Sequence, residues 1–100
     1  MAEHRLRVLK EARTEALSAA DQYEEKRPGL GVEFLAAAQE AIQTVASNPL
    51  RWPLVVGVYR RFVVQCRFPY AIYYRVDGSE VVIVAIAHQK RRPGYWLRRR

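Results

Sequence analysis

The sequence has 100 residues, a net charge of +7 and one cysteine, and half of its residues are hydrophobic. These values indicate one domain with its own core and exclude a disulfide-stapled scaffold, because Cys66 is the lone cysteine. The longest apolar run, residues 81–87, is far shorter than the about 20 residues that cross a bilayer, and the first residues lack the apolar stretch of a signal peptide. We therefore expect a single cytoplasmic domain over residues 1–100, without a membrane partner.

Positive charge is concentrated in the second half of the sequence. Residues 1–50 contain 6 lysine or arginine residues and 8 aspartate or glutamate residues, whereas residues 51–100 contain 11 and 2. The two halves therefore have net charges of −2 and +9. A charge excess that only maintains solubility would be spread more evenly. A basic half attracts polyanions, so nucleic acid or an acidic protein segment is the expected class of partner.

The first half of the chain is predicted to form one short strand and two helices. The alternation in HRLRVL indicates a strand near residues 4–9, and apolar residues at helical spacing indicate a helix over 11–26 that ends at Arg27-Pro28-Gly29. A second helix follows and ends at Asn48, because the residue before a proline is disfavoured in the α conformation. The two helices are expected to form a hairpin. Their apolar stripes comprise Ala12, Ala16, Ala19, Ala20 and Tyr23, then Phe34, Leu35, Ala38, Ile42 and Val45.

The second half of the chain is predicted to form three strands. Segments near residues 58–66, 70–76 and 80–88 are rich in β-branched and aromatic residues. The first strand of the chain has no local hairpin partner, so we expect it at an edge of the sheet or beside the last strand. The expected fold class is α+β, in the order β-α-α-β-β-β, with the helix hairpin packed on one face of a mainly antiparallel four-stranded sheet.

The last two strands are expected to pair around a two-residue turn at Asp77-Gly78. That register would place Arg75 opposite Glu80 and Arg67 opposite His88. It would also give the sheet one apolar face under the helices and one more basic face with His88 at its corner. The apolar face would carry Tyr70, Ile72, Tyr74, Val76, Val81, Ile83, Ala85 and Ala87, and the basic face Arg61, Val63, Gln65, Arg67, Ala71, Tyr73, Arg75, Glu80, Val82, Val84, Ile86 and His88.

The segment AHQKRRPGYW, residues 87–96, ends the longest apolar run with a histidine, three cations and a Pro-Gly break. One interpretation is structural: His88 caps the last strand and hydrogen-bonds to a backbone carbonyl. The other is an anion-binding or catalytic edge. The carboxylates Asp21, Glu24 and Glu25 are interpreted as a solvated helix face, and no spacing typical of a metal site or a phosphate-binding loop is present, so no cofactor is expected.

Three segments in the same order carry a family resemblance: ASNPLRWP, VYRRFVVQCRFPYAIYYRV and VAIAHQKRRPGYW. With the two preceding helices they resemble the RelE/ParE superfamily of type II toxin-antitoxin toxins over nearly the whole chain. The resemblance implies a small toxin that is neutralised by a short antitoxin, whose acidic helical segment would cover part of the basic half. RelE-like members cleave mRNA on the ribosome, whereas ParE-like members inhibit DNA gyrase.

A nuclease of this kind would need a general base, an acid and cations for the phosphate charge. The candidates for these catalytic roles are His88, Arg61, Arg67 and Tyr95, with Arg91 as a further phosphate contact. The lysine-rich second strand of RelE-like nucleases is absent from this sequence. Its absence slightly favours ParE-like inhibition of gyrase over RelE-like cleavage.

A binding function places the candidate contacts with the target or with nucleic acid at Lys90, Arg91, Arg92 and Arg60. Two alternatives to gyrase inhibition stay open on sequence grounds. One is the ribosome-dependent mRNA endonuclease, and the other is a degenerate member that binds only antitoxin or nucleic acid.

Overall fold

The computed structural model describes residues 4–64, 67–92 and 94–100. Within these residues the elements are β1 (Arg5–Val8), α1 (Lys10–Lys26), α2 (Leu30–Ser47), β2 (Leu54–Val56), β3 (Tyr59–Val63), β4 (Tyr70–Asp77) and β5 (Glu80–His88). The five strands form one sheet in the order β1-β5-β4-β3-β2. The predicted α+β fold is confirmed, with one strand more than expected because part of the connector after the second helix pairs with the next strand.

Strand β1 lies at the edge of the sheet and pairs in parallel with β5, from Arg5 opposite Glu80 to Val8 opposite Ile83. The other pairings are antiparallel. Both expected positions of the first strand, at an edge and beside the last strand, are therefore confirmed. The strand predicted over 58–66 is shorter, because β3 ends at Val63, and the positions 65 and 66 lie outside the described residues.

The helix hairpin turns tightly between α1 and α2. The carboxylate of Glu24 accepts hydrogen bonds from the backbone N–H groups of Gly29 at 2.8 Å and Gly31 at 2.9 Å. Gly29 has a φ of 87°, a conformation that favours glycine. Glu24 is therefore exposed, as the sequence suggested, and it also holds the turn.

One face of the sheet, called the helix face here, packs against α1 and α2. An aromatic cluster of Tyr23, Phe34, Phe68 and Tyr70 joins the helices to the sheet, with ring centroids 4.9 to 6.2 Å apart. Offset and edge-to-face contacts at such distances add to the stabilisation from burial. The buried sheet residues on this face are Val64, Ile72, Tyr74, Val81, Ile83 and Ile86.

The register between β4 and β5 differs from the prediction. The turn is formed by Gly78 and Ser79, so that Asp77 pairs with Glu80 and Arg75 pairs with Val82. Arg75 instead bonds to Asp77 at 2.8 Å. Gly78 is the residue with positive φ, 58°, which a two-residue hairpin turn favours at its first central position.

A β-bulge shifts the register again between Tyr73 and Tyr74, because Tyr73 pairs with Ala85 whereas Tyr74 pairs with Ile83. One extra residue on a strand moves all following side chains to the opposite face. Ala85 and Ala87 therefore lie on the face away from the helices. Ile86 lies on the helix face. His88 pairs with Tyr70, not with Arg67, so its predicted place on the basic face is wrong.

The face away from the helices, called the tail face here, is covered by the carboxy-terminal segment, residues 94–100. Trp96 is fully buried there, stacked on Tyr73 and tilted against Tyr59, with ring centroids 4.8 Å apart in both pairs. The predicted basic and half-apolar face is thus a second, smaller core. Its buried members are Leu9, Ala71, Tyr73, Val82, Val84, Ala85, Ala87 and Trp96.

Candidate functional site

His88 lies at the end of β5, half-buried on the helix face, with its ring 5.3 Å from that of Tyr70. Its Nδ1 accepts a hydrogen bond from the backbone N–H of Lys90 at 3.0 Å. In this arrangement Nδ1 cannot carry a proton, so the neutral ring carries its proton on Nε2. His88 therefore bonds to the backbone as expected, but it accepts from an N–H group where a bond to a carbonyl was predicted, and the contact anchors the following turn.

A cleft of about 280 Å³ separates α1 from the end of β5. His88 and Arg91 form part of one wall, and Thr14, Ser18 and Gln22 from α1 form the other. These three residues follow one another at intervals of four, which places them on one side of the helix. The cleft therefore joins an exposed polar stripe of α1 to the corner of the sheet that carries His88.

Glu15 of α1 is the centre of the densest polar cluster beside this cleft, and its side chain is only 14% exposed. Its carboxylate accepts hydrogen bonds from the backbone N–H of Ile86 at 3.1 Å, from Arg99 Nη1 at 2.8 Å and from the hydroxyl of Tyr95. Arg91 Nη1 lies 3.7 Å from the same carboxylate. Glu15 was not predicted as a site residue, although its spacing of three from Ala12 and four from Ala19 placed it beside the apolar stripe.

Tyr95 is held in this cluster by two kinds of contact. Its hydroxyl donates to Glu15, and the guanidinium of Arg91 lies 3.8 Å from the centre of its ring. Burial, followed by the hydrogen bond to Glu15, raises the pKa of the phenol well above its ordinary value. The phenol thus stays protonated at neutral pH, and its proton is directed to Glu15.

Arg67 is directed towards α2. Its Nη2 lies 2.5 Å from a carboxylate oxygen of Glu33, and its guanidinium lies 5.4 Å from the centre of the Phe68 ring. The ion pair with Glu33 lies at the surface, where such a pair contributes little stability. Arg67 is therefore separated from His88 by the observed register, contrary to the sequence-based expectation.

The two adjacent arginines of β3 point to opposite faces. Arg60 donates from Nη1 to the carbonyl oxygens of Leu50 at 3.1 Å and Trp52 at 2.6 Å, so it ties down the connector between α2 and β2. Arg61 pairs with Tyr73 and is exposed on the tail face. Arg60 thus has a structural role in the folded chain, and Arg61 lies on the opposite face from His88.

Lys90, Arg91 and Arg92 form an exposed turn after β5, called the basic turn here. It is held at its start by the bond from Lys90 to His88 Nδ1 and by a backbone bond from Arg91 N–H to His88 C=O at 2.9 Å. Three consecutive cations are therefore presented on a short, hydrogen-bonded segment. Of the predicted site residues, Arg91 and Tyr95 contact Glu15, and His88 lines the same cleft as Arg91, whereas Arg60, Arg61 and Arg67 do not join them.

The described residues include no group of three histidine, cysteine or acidic side chains that could hold a metal ion. In the same part of the chain, neither helix combines the length and the apolar character needed to cross a membrane.

The fold is that of a toxin-antitoxin protein of known structure. The chain superposes on one from the chromosomal ParDE toxin-antitoxin system of P. aeruginosa with a TM-score of 0.78 and 19% sequence identity. The match covers 86% of this chain and 96% of the other. At this level of identity the likeness shows the shared fold.

The sequence gives the family. The family model described as the ParE toxin of the type II toxin-antitoxin system, parDE, matches residues 6–93. This chain therefore belongs to the ParE toxin family, which confirms the resemblance drawn from its motifs. A search of curated proteins finds no significant match to it.

Proposed function

We propose that this ParE-family toxin inhibits DNA gyrase by binding it, and that the basic turn, residues 90–92, supplies part of the contact. A cognate antitoxin would neutralise it in the cell. The observation that carries the proposal is that Arg61 and Arg67 lie away from His88 and that the Tyr95 hydroxyl is bound to Glu15, which leaves Arg91 as the one candidate cation in the cleft beside His88.

Cleavage of RNA requires a base, an acid and a cation within reach of one phosphodiester group. His88 lies on the helix face and Arg61 on the tail face. Arg67 pairs with Glu33 on α2, and the hydroxyl of Tyr95 is bound to Glu15. This dispersal supports a function in binding over a function in catalysis.

The basic turn has the properties of a protein contact. Its cations are exposed, and its backbone is fixed at the end of a strand that is buried from Val81 to Ala87. A preorganised segment loses little conformational entropy when it binds, so more of its interaction energy appears as affinity. Arginine is also among the residues that contribute most at protein interfaces.

The antitoxin is proposed to cover the outer side of the helix hairpin and to reach the basic half of the chain. A groove of about 230 Å³ lies between α1 and α2, and Leu17 at its rim is 52% exposed. Val32 on α2 is 70% exposed. An amphipathic segment with apolar anchors and acidic flanks would match both the groove and the charge of the second half.

The experiment is to express the toxin from a tight promoter and to record DNA synthesis and protein synthesis separately after induction. Purified toxin is then added to a gyrase supercoiling assay and to a cell-free translation assay. We expect DNA synthesis to stop first and supercoiling to be inhibited. Early arrest of translation with cleaved mRNA, and no effect on supercoiling, would contradict the proposal and favour the endonuclease.

A charge reversal tests the contact itself. The double variant Lys90→Glu/Arg92→Glu should abolish inhibition of supercoiling while the thermal unfolding transition stays unchanged, because both side chains are exposed. The matched control is Arg98→Glu/Arg100→Glu, which changes the net charge by the same amount at two other exposed positions. Equal losses in both double variants would mean that overall charge, and not the basic turn, determines activity.

A further inference from the structure

Glu15 contacts the chain on both sides of the basic turn. Before the turn it accepts the backbone N–H of Ile86 at 3.1 Å, and after the turn it binds the Tyr95 hydroxyl and both Nη atoms of Arg99, at 2.8 and 3.1 Å. Within the turn, Arg91 lies 3.7 Å away. One carboxylate of α1 thus fixes both ends of a segment that is distant from it in the sequence.

The same carboxylate continues the hydrogen bonding of the sheet where β1 stops. The last backbone bond from this side to β5 is from Leu9 N–H to Ile83 C=O at 3.0 Å. Further along β5, Val84 C=O accepts from Arg99 Nη1 at 3.0 Å, and Ile86 N–H donates to Glu15. A charged pair of side chains therefore replaces a neighbouring strand at this edge. Hydrogen bonds that involve charged groups are stronger than neutral ones.

Glu15 also separates two cations that would otherwise repel each other. Arg91 and Arg99 both lie within 4 Å of its carboxylate, and the guanidinium of each lies over the ring of Tyr95, at 3.8 and 5.0 Å from its centre. Without the negative charge, two guanidinium groups would share one ring and one small, partly buried space. Like charges at such distances destabilise the arrangement that holds them.

We propose that Glu15 is a positioning residue: it holds the basic turn, through Arg91, Tyr95 and Arg99, in the arrangement that contacts the target of the toxin. The inference rests on the proposed function in one respect only, namely that the basic turn makes the contact. The contacts of Glu15 do not depend on which target is bound.

The test compares Glu15→Gln with Glu25→Gln, a carboxylate that is exposed on the same helix. Glutamine keeps the size and can still accept the Ile86 N–H, but it removes the charge. We expect the toxin concentration for half inhibition of supercoiling to rise about tenfold for Glu15→Gln, the scale expected for losing hydrogen bonds to a charged group. Glu25→Gln should leave it unchanged.

A second set of variants tests the same link from the other end. Arg99→Gln should reproduce the loss seen in Glu15→Gln, and Arg99→Lys, which keeps a cation beside Glu15, should restore most of the activity. Arg98→Gln and Arg100→Gln remove one exposed cation each and should be silent. If they lower activity as much as Arg99→Gln does, the segment acts through its charge and the proposal fails.

A local probe separates positioning from general loss of structure. In a Trp52→Phe background, Trp96 is the remaining tryptophan, and it is fully buried. Glu15→Gln and Arg99→Gln should make its fluorescence more accessible to acrylamide, while far-ultraviolet circular dichroism still shows a cooperative unfolding transition. Unchanged quenching together with unchanged activity would overturn the proposal. So would increased quenching with full activity.

The outcomes also distinguish the proposed inhibition of gyrase from the proposed role of Glu15. If the wild-type toxin fails to inhibit supercoiling, the proposed function is wrong. The quenching of Trp96 and the toxicity of the same variants in cells would then still decide whether Glu15 positions the segment.

Discussion

His88 uses one ring nitrogen to anchor the basic turn, and this contact determines what its replacement should do. In His88→Asn, the side-chain oxygen can take the place of Nδ1 as acceptor for the Lys90 N–H, although asparagine cannot transfer a proton at neutral pH. We therefore expect His88→Asn to keep nearly full toxicity in cells and nearly full inhibition of supercoiling. His88→Val, which has no acceptor, should weaken both.

A loss of toxicity in His88→Asn, with unchanged thermal stability and antitoxin affinity, would point instead to proton transfer by the imidazole. That result would indicate that the protein is an enzyme and that its active site lies in the cleft lined by His88 and Arg91.

Tyr74 is fully buried, and its hydroxyl donates to Pro49 C=O at 2.6 Å. Burial raises its pKa from 10.0 to about 12, with Arg60 opposing the shift. Because the folded state favours the neutral phenol, this contribution to stability is complete below pH 10 and is lost as the pH rises towards 12. Tyr74→Phe should lower the free energy of unfolding by about 1–2 kcal/mol at neutral pH. The free energy of unfolding of Tyr74→Phe should also decrease less than that of wild type between pH 10 and 12.

Urea unfolding at neutral and alkaline pH measures both effects. Tyr23, Tyr70 and Tyr95 also have raised pKa values and supply the remaining alkaline sensitivity. If the free energy of unfolding decreases equally in wild type and in Tyr74→Phe between pH 10 and 12, Tyr74 is not the source of the alkaline loss of stability.

For single residues, the sequence was informative where a side chain differs in chemistry from its neighbours along the chain. His88 and the three cations after it interrupt an apolar run, so their pattern pointed to the end of β5. Glu15 is one of several carboxylates on an ordinary amphipathic helix, and its partners Ile86, Tyr95 and Arg99 are contributed by the other end of the chain. Such a cluster depends on tertiary packing, which a local pattern does not encode.

Among the elements, the helix hairpin contains a position where only glycine fits. A Cβ atom at Gly31 would lie 2.5 Å from the carbonyl oxygen of Ala20, a backbone atom that cannot turn aside. Gly31→Ala should therefore force α1 and α2 apart and lower the free energy of unfolding by about 1–3 kcal/mol. Thermal or urea unfolding measures the loss. Val32→Ala, at the next and exposed position, should change it by less than about 0.5 kcal/mol. Similar values for both variants would argue that the helices move apart freely.

The helices and strands themselves were predictable because their apolar periods are clear over many residues. The register between β4 and β5 was not predictable from the sequence, because it depends on the position of the turn and on one β-bulge. The turn uses Gly78 and Ser79, one position later than the Asp-Gly signal suggested, and the bulge beside Tyr73 adds a further shift. Val81 to Ala87 are all apolar and buried, so either face could have accepted them. An apolar run without alternation leaves the register to the turn and the bulge.

Over the whole molecule, the separation of charge between the two halves governs the expected antitoxin complex. An acidic partner on a basic surface is held partly by charge, which salt screens. Affinity for the cognate antitoxin should therefore fall steadily between about 0.1 and about 1 M salt, over which the Debye length falls from about 10 to about 3 Å. Isothermal titration calorimetry across this range measures the effect. Constant affinity would show that apolar anchors, such as those that would contact Leu17 and Val32, dominate.

The parallel pairing of β1 with β5 joins segments that are 75 residues apart in the sequence, since Arg5 lies opposite Glu80 and Val8 opposite Ile83. During synthesis, β1 cannot pair with its only described neighbour until β5, which follows both helices and the other strands, has been made. Contacts between such distant segments form slowly, because the loop between them must first be closed. Trp96, which completes the second core, emerges later still. The fold is therefore incomplete until Trp96 has been made, and we expect an antitoxin that is already present to meet the chain during this interval, as it folds.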